Sequence, residues 1–92
     1  MVAYVVVDLN ILSKEHLAKY KEKAPGTVKA HGGKFLVSGK IKSLTGVNNF
    51  QMKSIIEFPS QESVLTWYES DEYQSLIETR DRGIDCRFDL IV

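Results

Sequence analysis

One arginine lies on an apolar helical stripe, where its charge needs a partner. The stripe repeats at i, i+3, i+4 and i+7 and consists of Tyr73, Leu76, Ile77 and Arg80. A helix over these residues carries all four side chains on one face. Burying an unpaired guanidinium is expensive, so Arg80 has to meet a carboxylate, carbonyl groups or an anionic ligand.

Two roles are open to Arg80. The functional role is a clamp for a substrate carboxylate or enolate, which would make it part of a catalytic site. The structural role is an ion pair with an acid such as Asp8 or Asp85, or an aliphatic stem that lies on the core with its head in water.

His31 is the second candidate for chemistry. It ends the apolar stripe of the first predicted helix, next to Gly32 and Gly33. Because histidine titrates near neutral pH, His31 could move a proton in a catalytic step. The alternative is electrostatic capping, since a helix C-terminus attracts a cation. A cavity shared with Arg80 would favour the catalytic role.

Aromatic residues provide candidate walls for a binding site. Trp67, Tyr68 and Tyr73 fall close together, and their rings could line a pocket for an aromatic or lipophilic molecule. Tyr4 and Tyr20 add phenolic hydroxyls that could donate hydrogen bonds. The alternative for all of them is packing, because aromatic residues at helical spacing commonly form the core.

Metal and thiol chemistry find little support in the sequence. His16 and His31 are 15 positions apart with no paired ligand motif, so no metal site is expected. Cys86 is the only cysteine, which excludes an intrachain disulfide and favours a reducing, cytoplasmic setting. We also expect no cofactor, since no glycine-rich phosphate loop opens a helix.

Hydrophobic periodicity indicates which elements hold these residues. Alternating β-branched residues predict a strand over 2–9, and Ser13 predicts the start of a helix that ends at Gly32-Gly33. Pro25-Gly26 should kink or break that helix midway. The other predicted elements are strands over 34–38, 52–58 and 86–92 and helices over about 61–69 and 71–82.

The order β-α-β-β-α-β over a single domain, 1–92, predicts an α+β fold of the ferredoxin-like class. Each strand has one apolar face that should pack under the helices. We expect these inward residues to be Ala3, Val5, Val7 and Leu9; Phe35 and Val37; Met52, Ile56 and Phe58; and Cys86, Phe88, Leu90 and Val92.

The opposite sheet face is unusually apolar for a surface in water. The alternation places five apolar or aromatic residues there beside charged ones: Tyr4, Val6, Leu36, Ile55 and Ile91. A one-sided antiparallel sheet normally offers a polar outer face, and a contiguous apolar patch usually meets a partner. We therefore expect a homodimer that packs sheet against sheet.

Composition argues against nucleic-acid and membrane partners. The formal net charge is zero, and the longest apolar run is too short to span a bilayer. The halves differ, with +6 over residues 1–53 and −6 over residues 54–92, but interleaving in space would neutralise them. RNA-recognition modules share the predicted order of elements, yet Ile55 and Glu57 occupy strand positions where such modules carry aromatic and basic residues.

Several segments resemble the small dimeric α/β-barrel proteins of the domain-of-unknown-function family numbered thirteen-thirty. The segments are HGGKFLVSG, IIEFPS and WYESDEYQSL with the following Arg80, together with AYVVVDLN and APGTVKAHGG. The resemblance implies a ferredoxin-like subunit in a homodimer whose sheets form a barrel. Members often carry arginine before the glycine at Gly39, where this chain has Ser38.

Barrels related to that family include cofactor-independent monooxygenases, haem-degrading enzymes and chlorite-dismutase-like proteins. By that analogy His31 would be a conceivable haem ligand. The sequence therefore predicts a homodimer that binds a small organic molecule between helices and sheet. If it is an enzyme, the reaction would be cofactor-independent proton transfer or oxygenation. The alternative is a non-catalytic structural or interaction dimer.

Overall fold

A four-stranded antiparallel sheet with helices packed on one side forms the structure, a computed structural model that describes all 92 residues. The elements in chain order are β1 (Ala3–Ile11), α1 (Lys14–Ala30), β2 (Lys34–Lys40), β3 (Met52–Phe58), α2 (Gln61–Glu69), α3 (Asp71–Gln74), α4 (Ile77–Gly83) and β4 (Ile84–Ile91). None of the helices is both long and apolar enough to cross a membrane.

The strands lie in the order β2-β3-β1-β4, so β1 and β3 are central and β2 and β4 form the edges. This arrangement is the ferredoxin-like fold and confirms the predicted α+β class. The inner face of the sheet, which packs under the helices, contributes Val5, Val7, Ile56 and Phe58 to the buried core.

Helix α1 begins as predicted but continues through its proline. The Ser13 hydroxyl accepts a hydrogen bond from the His16 backbone N–H at 3.3 Å. Of the kink or break predicted at Pro25-Gly26, the break is wrong, because the helix extends to Ala30. Proline removes one backbone donor, but Ala24 and Val28 on either side of it are buried, and their packing holds the helix together.

The second helical region is more divided than predicted. Helix α2 matches the prediction, but the expected helix over 71–82 is interrupted at Ser75 and Leu76. Ser70 caps the single turn of α3, accepting from the Tyr73 backbone N–H at 3.2 Å, whereas α4 starts without a side-chain cap. Despite this interruption, Tyr73, Leu76 and Arg80 are all buried.

A bulge in β2 corrects the predicted facing of that strand. Phe35 pairs with Ile56, but Val37 pairs with Ile55, so Leu36 is an extra residue. Two residues paired across adjacent strands point to the same face of the sheet. Ile56 points to the inner face and Ile55 to the outer face, so Phe35 lies on the inner face and Val37 on the outer face. Val37 is 58% exposed, and Phe35, although inward, is 46% exposed at the sheet edge.

The outer face, the side of the sheet away from the helices, carries four of the five apolar residues predicted for it, and the β2 residue paired there is Val37 instead of the predicted Leu36. Tyr4 pairs with Ile91, and Val6 pairs with Ile55, which also pairs with Val37. A charged row follows, in which the Lys53 ammonium lies 3.2 Å from an Asp8 carboxylate oxygen. Apolar side chains and an ion pair thus share a surface that nothing in the subunit covers.

Candidate functional site

A cavity of about 380 Å³ lies between α1 and the inner face of the sheet. We call it the α1 cavity. Twelve of its 16 lining residues are hydrophobic. The lining consists of Val7, Leu9, Leu17, Tyr20, Lys21, Ala24, Pro25, Val28, Phe35, Ser38, Met52, Ser54, Ile56, Trp67, Ile84 and Phe88.

Small residues on both walls keep the α1 cavity open. Ala24 faces it from the helix, and Ser38 and Ser54 face it from the sheet. The two serines are cross-strand partners whose hydroxyl oxygens lie 2.8 Å apart. This mutual hydrogen bond satisfies polar groups on an otherwise apolar wall, so the wall can accept a hydrocarbon surface without losing hydrogen bonds.

Arg80 is buried and held by three side chains. Its Nη1 donates to the hydroxyl oxygens of Tyr68 and Tyr73, both at 3.1 Å, and its Nε donates to the Asp81 carboxylate at 3.1 Å. The guanidinium carbon lies 4.9 Å from the centre of the Phe88 ring, a cation–π distance. The expected acid partners of Arg80, Asp8 and Asp85, are replaced by its chain neighbour Asp81.

Burial and hydrogen bonding oppose each other at Arg80. Desolvation lowers the pKa of the guanidinium, but the hydrogen bonds to Tyr68 and Tyr73 outweigh it, so the net pKa is raised and the side chain stays a cation. Nearby, burial raises the pKa of the Cys86 thiol, while the charge of Arg80 works in the opposite direction. Cys86 is therefore a neutral thiol at neutral pH.

Two phenols connect Arg80 to the α1 cavity. The Tyr73 hydroxyl, which accepts from Arg80, lies 2.7 Å from the hydroxyl of Tyr20, and Tyr20 lines the cavity. Burial is the main cause that raises the pKa of both phenols, so both stay protonated at neutral pH. Arg80, Tyr73 and Tyr20 thus form one hydrogen-bonded chain that ends at the cavity wall.

The predicted aromatic wall divides between two surfaces. Trp67 is 1% exposed, lines the α1 cavity, and its indole N–H donates to the Thr27 hydroxyl at 3.0 Å. The Tyr73 ring packs against it at a tilt of 47°, with ring centres 4.5 Å apart. Tyr68 packs edge-on to Trp67 but lines a separate groove between α2 and β4, outside the α1 cavity.

His31 and Tyr4 lie away from this network. The His31 Nδ1 donates to the Thr27 carbonyl oxygen at 3.0 Å, and its ring faces a shallow groove at the start of α2 that does not include Arg80. Tyr4 lies on the outer face. Of the predicted site residues, the structure brings together Arg80, Tyr68, Tyr73 and Trp67, and it does not bring His31 or Tyr4 to them.

The sequence analysis missed the residues that shape the cavity. Tyr20 was noted only as a possible donor, Ser38 only as a departure from the family resemblance, and Lys21 and Ser54 were not considered. One signal was available, because Ser54 falls on the inner face between Met52 and Ile56. A small polar residue at a core position indicates either a buried polar partner or empty space.

No group of three or more histidine, cysteine, aspartate or glutamate side chains is arranged so that it could hold a metal ion. The polar groups on the α1 cavity are phenol, ammonium and hydroxyl groups. This set suits hydrogen bonding to an organic molecule, with Tyr20 and Lys21 as the only titratable residues on the wall.

Residues 2–92 match the family model of DUF1330, a domain of unknown function, in agreement with the resemblance seen in the sequence. No curated protein matches. A protein of unknown function from Rhodopseudomonas palustris has a similar structure, with TM-score 0.82 and 16% identity over 98% of this chain and 80% of that one.

Two further solved structures are similar at 5% identity. SnoaB, a cofactor-independent oxygenase from Streptomyces nogalater, has TM-score 0.71 over 99% of this chain and 91% of that one. A dimeric ferredoxin-like protein of unknown function from Thermobifida fusca has TM-score 0.67 over 100% of this chain and 91% of that one. At these identities the likeness concerns the fold alone.

Proposed function

The chain belongs to the DUF1330 family, and we propose that it binds a small, largely apolar organic molecule in the α1 cavity. The observation that carries this proposal is the cavity itself, which opens beneath a well-packed helix and is lined mainly by hydrophobic side chains. Its volume of about 380 Å³ falls within the usual range of small-molecule sites.

The shape of the wall supports a ligand more than it supports a packing defect. Native cores are close-packed, and voids larger than a water molecule are few. The α1 cavity opens to solvent beside the exposed Phe35 and Ser38, and its apolar wall lacks dispersion contacts that larger side chains at Ala24, Ser38 or Ser54 would supply. A purely structural module would gain stability from those larger residues, so the open wall favours binding over the structural alternative.

We propose a homodimer as the functional unit, with one ligand in each subunit. The exposed apolar residues of the outer face, Val37 and Ile91 among them, would be covered by the same face of a second subunit. The similar protein from Thermobifida fusca is described as dimeric. Two ferredoxin-like sheets packed in this way would form the barrel that the resemblance implied.

We propose binding rather than catalysis because the α1 cavity has few titratable groups. The α1 cavity has Tyr20 and Lys21 on its wall but no carboxylate and no imidazole, and His31 faces a different groove. General-base chemistry needs a group of suitable pKa within hydrogen-bond reach of the reacting atom. A cofactor-independent reaction, the class to which the SnoaB oxygenase belongs, would thus extend the binding function and is not its basis.

The test uses a hydrocarbon probe and a variant that fills the cavity. Tetralin, a bicyclic hydrocarbon, is titrated into the wild type and into Ala24→Phe by calorimetry. Ala18→Phe is the matched control, because Ala18 lies in the same helix but is exposed. We expect binding to the wild type and to Ala18→Phe, and a loss of about tenfold or more in Ala24→Phe. Equal affinity in all three proteins contradicts the proposed function.

A further inference from the structure

We propose that Tyr20 donates a hydrogen bond to a carbonyl oxygen of the bound molecule, so that the ligand is an apolar ketone-like compound rather than a plain hydrocarbon or a carboxylic acid. This inference rests on the proposed function and assigns the chemical class of its ligand. It depends on the direction of the hydrogen bonds in the chain Arg80–Tyr73–Tyr20.

The direction is fixed at Arg80. A guanidinium has donors only, so the Tyr73 oxygen must accept from Arg80 Nη1. Tyr73 is fully buried, and its hydroxyl has one other partner, the Tyr20 hydroxyl at 2.7 Å. If Tyr20 donated to Tyr73, the Tyr73 hydrogen would have no acceptor. Because an unsatisfied buried donor is costly, Tyr73 donates and Tyr20 accepts.

This direction leaves the hydrogen of Tyr20 free. No other group in the chain forms a hydrogen bond with the Tyr20 hydroxyl. The residue is only partly buried and lines the α1 cavity, where the neighbouring serines Ser38 and Ser54 bond to each other. The unused donor therefore needs an acceptor that enters the cavity, either water or an oxygen of the ligand.

Charge selects the kind of acceptor. Arg80 carries a positive charge at the head of the chain, which polarises both phenols and favours an oxygen with partial negative charge. The Asp81 carboxylate already balances the guanidinium, at 3.1 Å from its Nε. A ligand carboxylate would thus lose its hydration for a single phenol donor, because Lys21, the one charged residue on the wall, is exposed. A neutral carbonyl needs no such compensation.

The experiment compares two bicyclic probes of similar shape, 1-tetralone, which has a carbonyl group, and tetralin, which has none. Each is titrated by calorimetry into the wild type, Tyr20→Phe and Tyr4→Phe. Tyr4→Phe is the control, since it loses a phenol that lies on the outer face. The infrared carbonyl stretch of bound 1-tetralone is recorded for the same proteins, and melting curves confirm that each is folded.

We expect Tyr20→Phe to bind 1-tetralone about tenfold more weakly than the wild type does, while tetralin binds both equally. The carbonyl stretch should lie at lower frequency in the wild type and in Tyr4→Phe than in Tyr20→Phe. Unchanged 1-tetralone affinity and an unchanged stretch in Tyr20→Phe, with tetralin still bound, overturn this inference alone. Failure of both probes to bind the wild type overturns the proposed function as well.

Discussion

The hydroxyl groups of Tyr20 and Tyr73 lie 2.7 Å apart, although 53 positions separate them in the chain. This contact joins α1 to α3 and continues to the buried guanidinium of Arg80 at 3.1 Å. The Arg80 guanidinium therefore does not line the α1 cavity and is connected to it only by the hydrogen bonds of the two phenols. The stability of the subunit and the proposed ligand recognition would consequently depend on the same three side chains, and both can be measured.

Removing the buried cation should destabilise the subunit. Arg80→Met retains an apolar stem but leaves the Tyr68 and Tyr73 hydroxyls without their donor. We expect the free energy of unfolding to fall by about 2–3 kcal/mol. Urea denaturation measures it. The control is Arg82→Met, which breaks the exposed i,i+4 pair of Arg82 with Glu78 and should change it by less than about 0.5 kcal/mol. Equal losses of unfolding free energy in the two variants would refute a structural role for the hydrogen bonds of Arg80.

Two glycine-to-alanine substitutions should have opposite effects. A Cβ at Gly83 would lie 2.7 Å from the Leu17 backbone nitrogen, where α4 approaches α1, so Gly83→Ala should destabilise by about 2 kcal/mol. A Cβ at Gly26 meets nothing within 4 Å inside α1, so Gly26→Ala should stabilise by about 0.5–1 kcal/mol. Thermal melting compares them. Similar melting temperatures for both variants would mean that α4 and α1 are not packed so closely.

Alkaline pH should weaken the fold through the tyrosines. The ordinary pKa of a tyrosine is 10.0, and burial raises the pKa of Tyr20 and Tyr73 in the folded state. Above about pH 10 the unfolded chain loses protons that the folded chain keeps, so stability falls as pH rises, by up to about 1.4 kcal/mol per pH unit for each phenol. Urea denaturation between pH 8 and 11 should show a shallower decline in Tyr20→Phe. Parallel curves for the two proteins would contradict this assignment.

A charge placed on the outer face should separate the proposed dimer. Ile55 lies between Val6 and Val37 on that face. In a symmetric dimer Ile55→Glu would bury one carboxylate from each subunit in the same interface, where the two negative charges repel each other. We expect a monomer by sedimentation at micromolar concentration. Leu65→Glu is the control, because Leu65 is exposed on the helical side and should leave the mass unchanged. A dimer that survives Ile55→Glu would have to use another surface.

The fold followed from local rules that the sequence displays. Ser13 caps α1 where its side chain predicted, and the alternation of β1 and β3 predicted which of their residues face the helices. The errors arose where tertiary packing overrides local preference. Pro25 stays within α1 because its neighbours are buried, and the bulge at Leu36 reverses the facing of Val37 without any glycine or proline to mark it.

The candidate site was harder to predict because it depends on distances between elements. Helical spacing placed Arg80 on a buried stripe and implied that it needs partners, but spacing could not identify Tyr68 and Tyr73 as those partners. The role of Tyr20 needs the contact between α1 and α3, which no local pattern contains. The α1 cavity depends on how closely helix and sheet pack, and in the sequence only the inward position of Ser54 indicated it.

A crystal structure of the protein soaked with 1-tetralone tests the central claim most directly. The account predicts electron density for the bicyclic ring in the α1 cavity between Ala24 and Ile56, with the carbonyl oxygen within hydrogen-bond distance of the Tyr20 hydroxyl. An α1 cavity without density in crystals that bind 1-tetralone elsewhere, on the outer face or in the groove beside Tyr68, would contradict it.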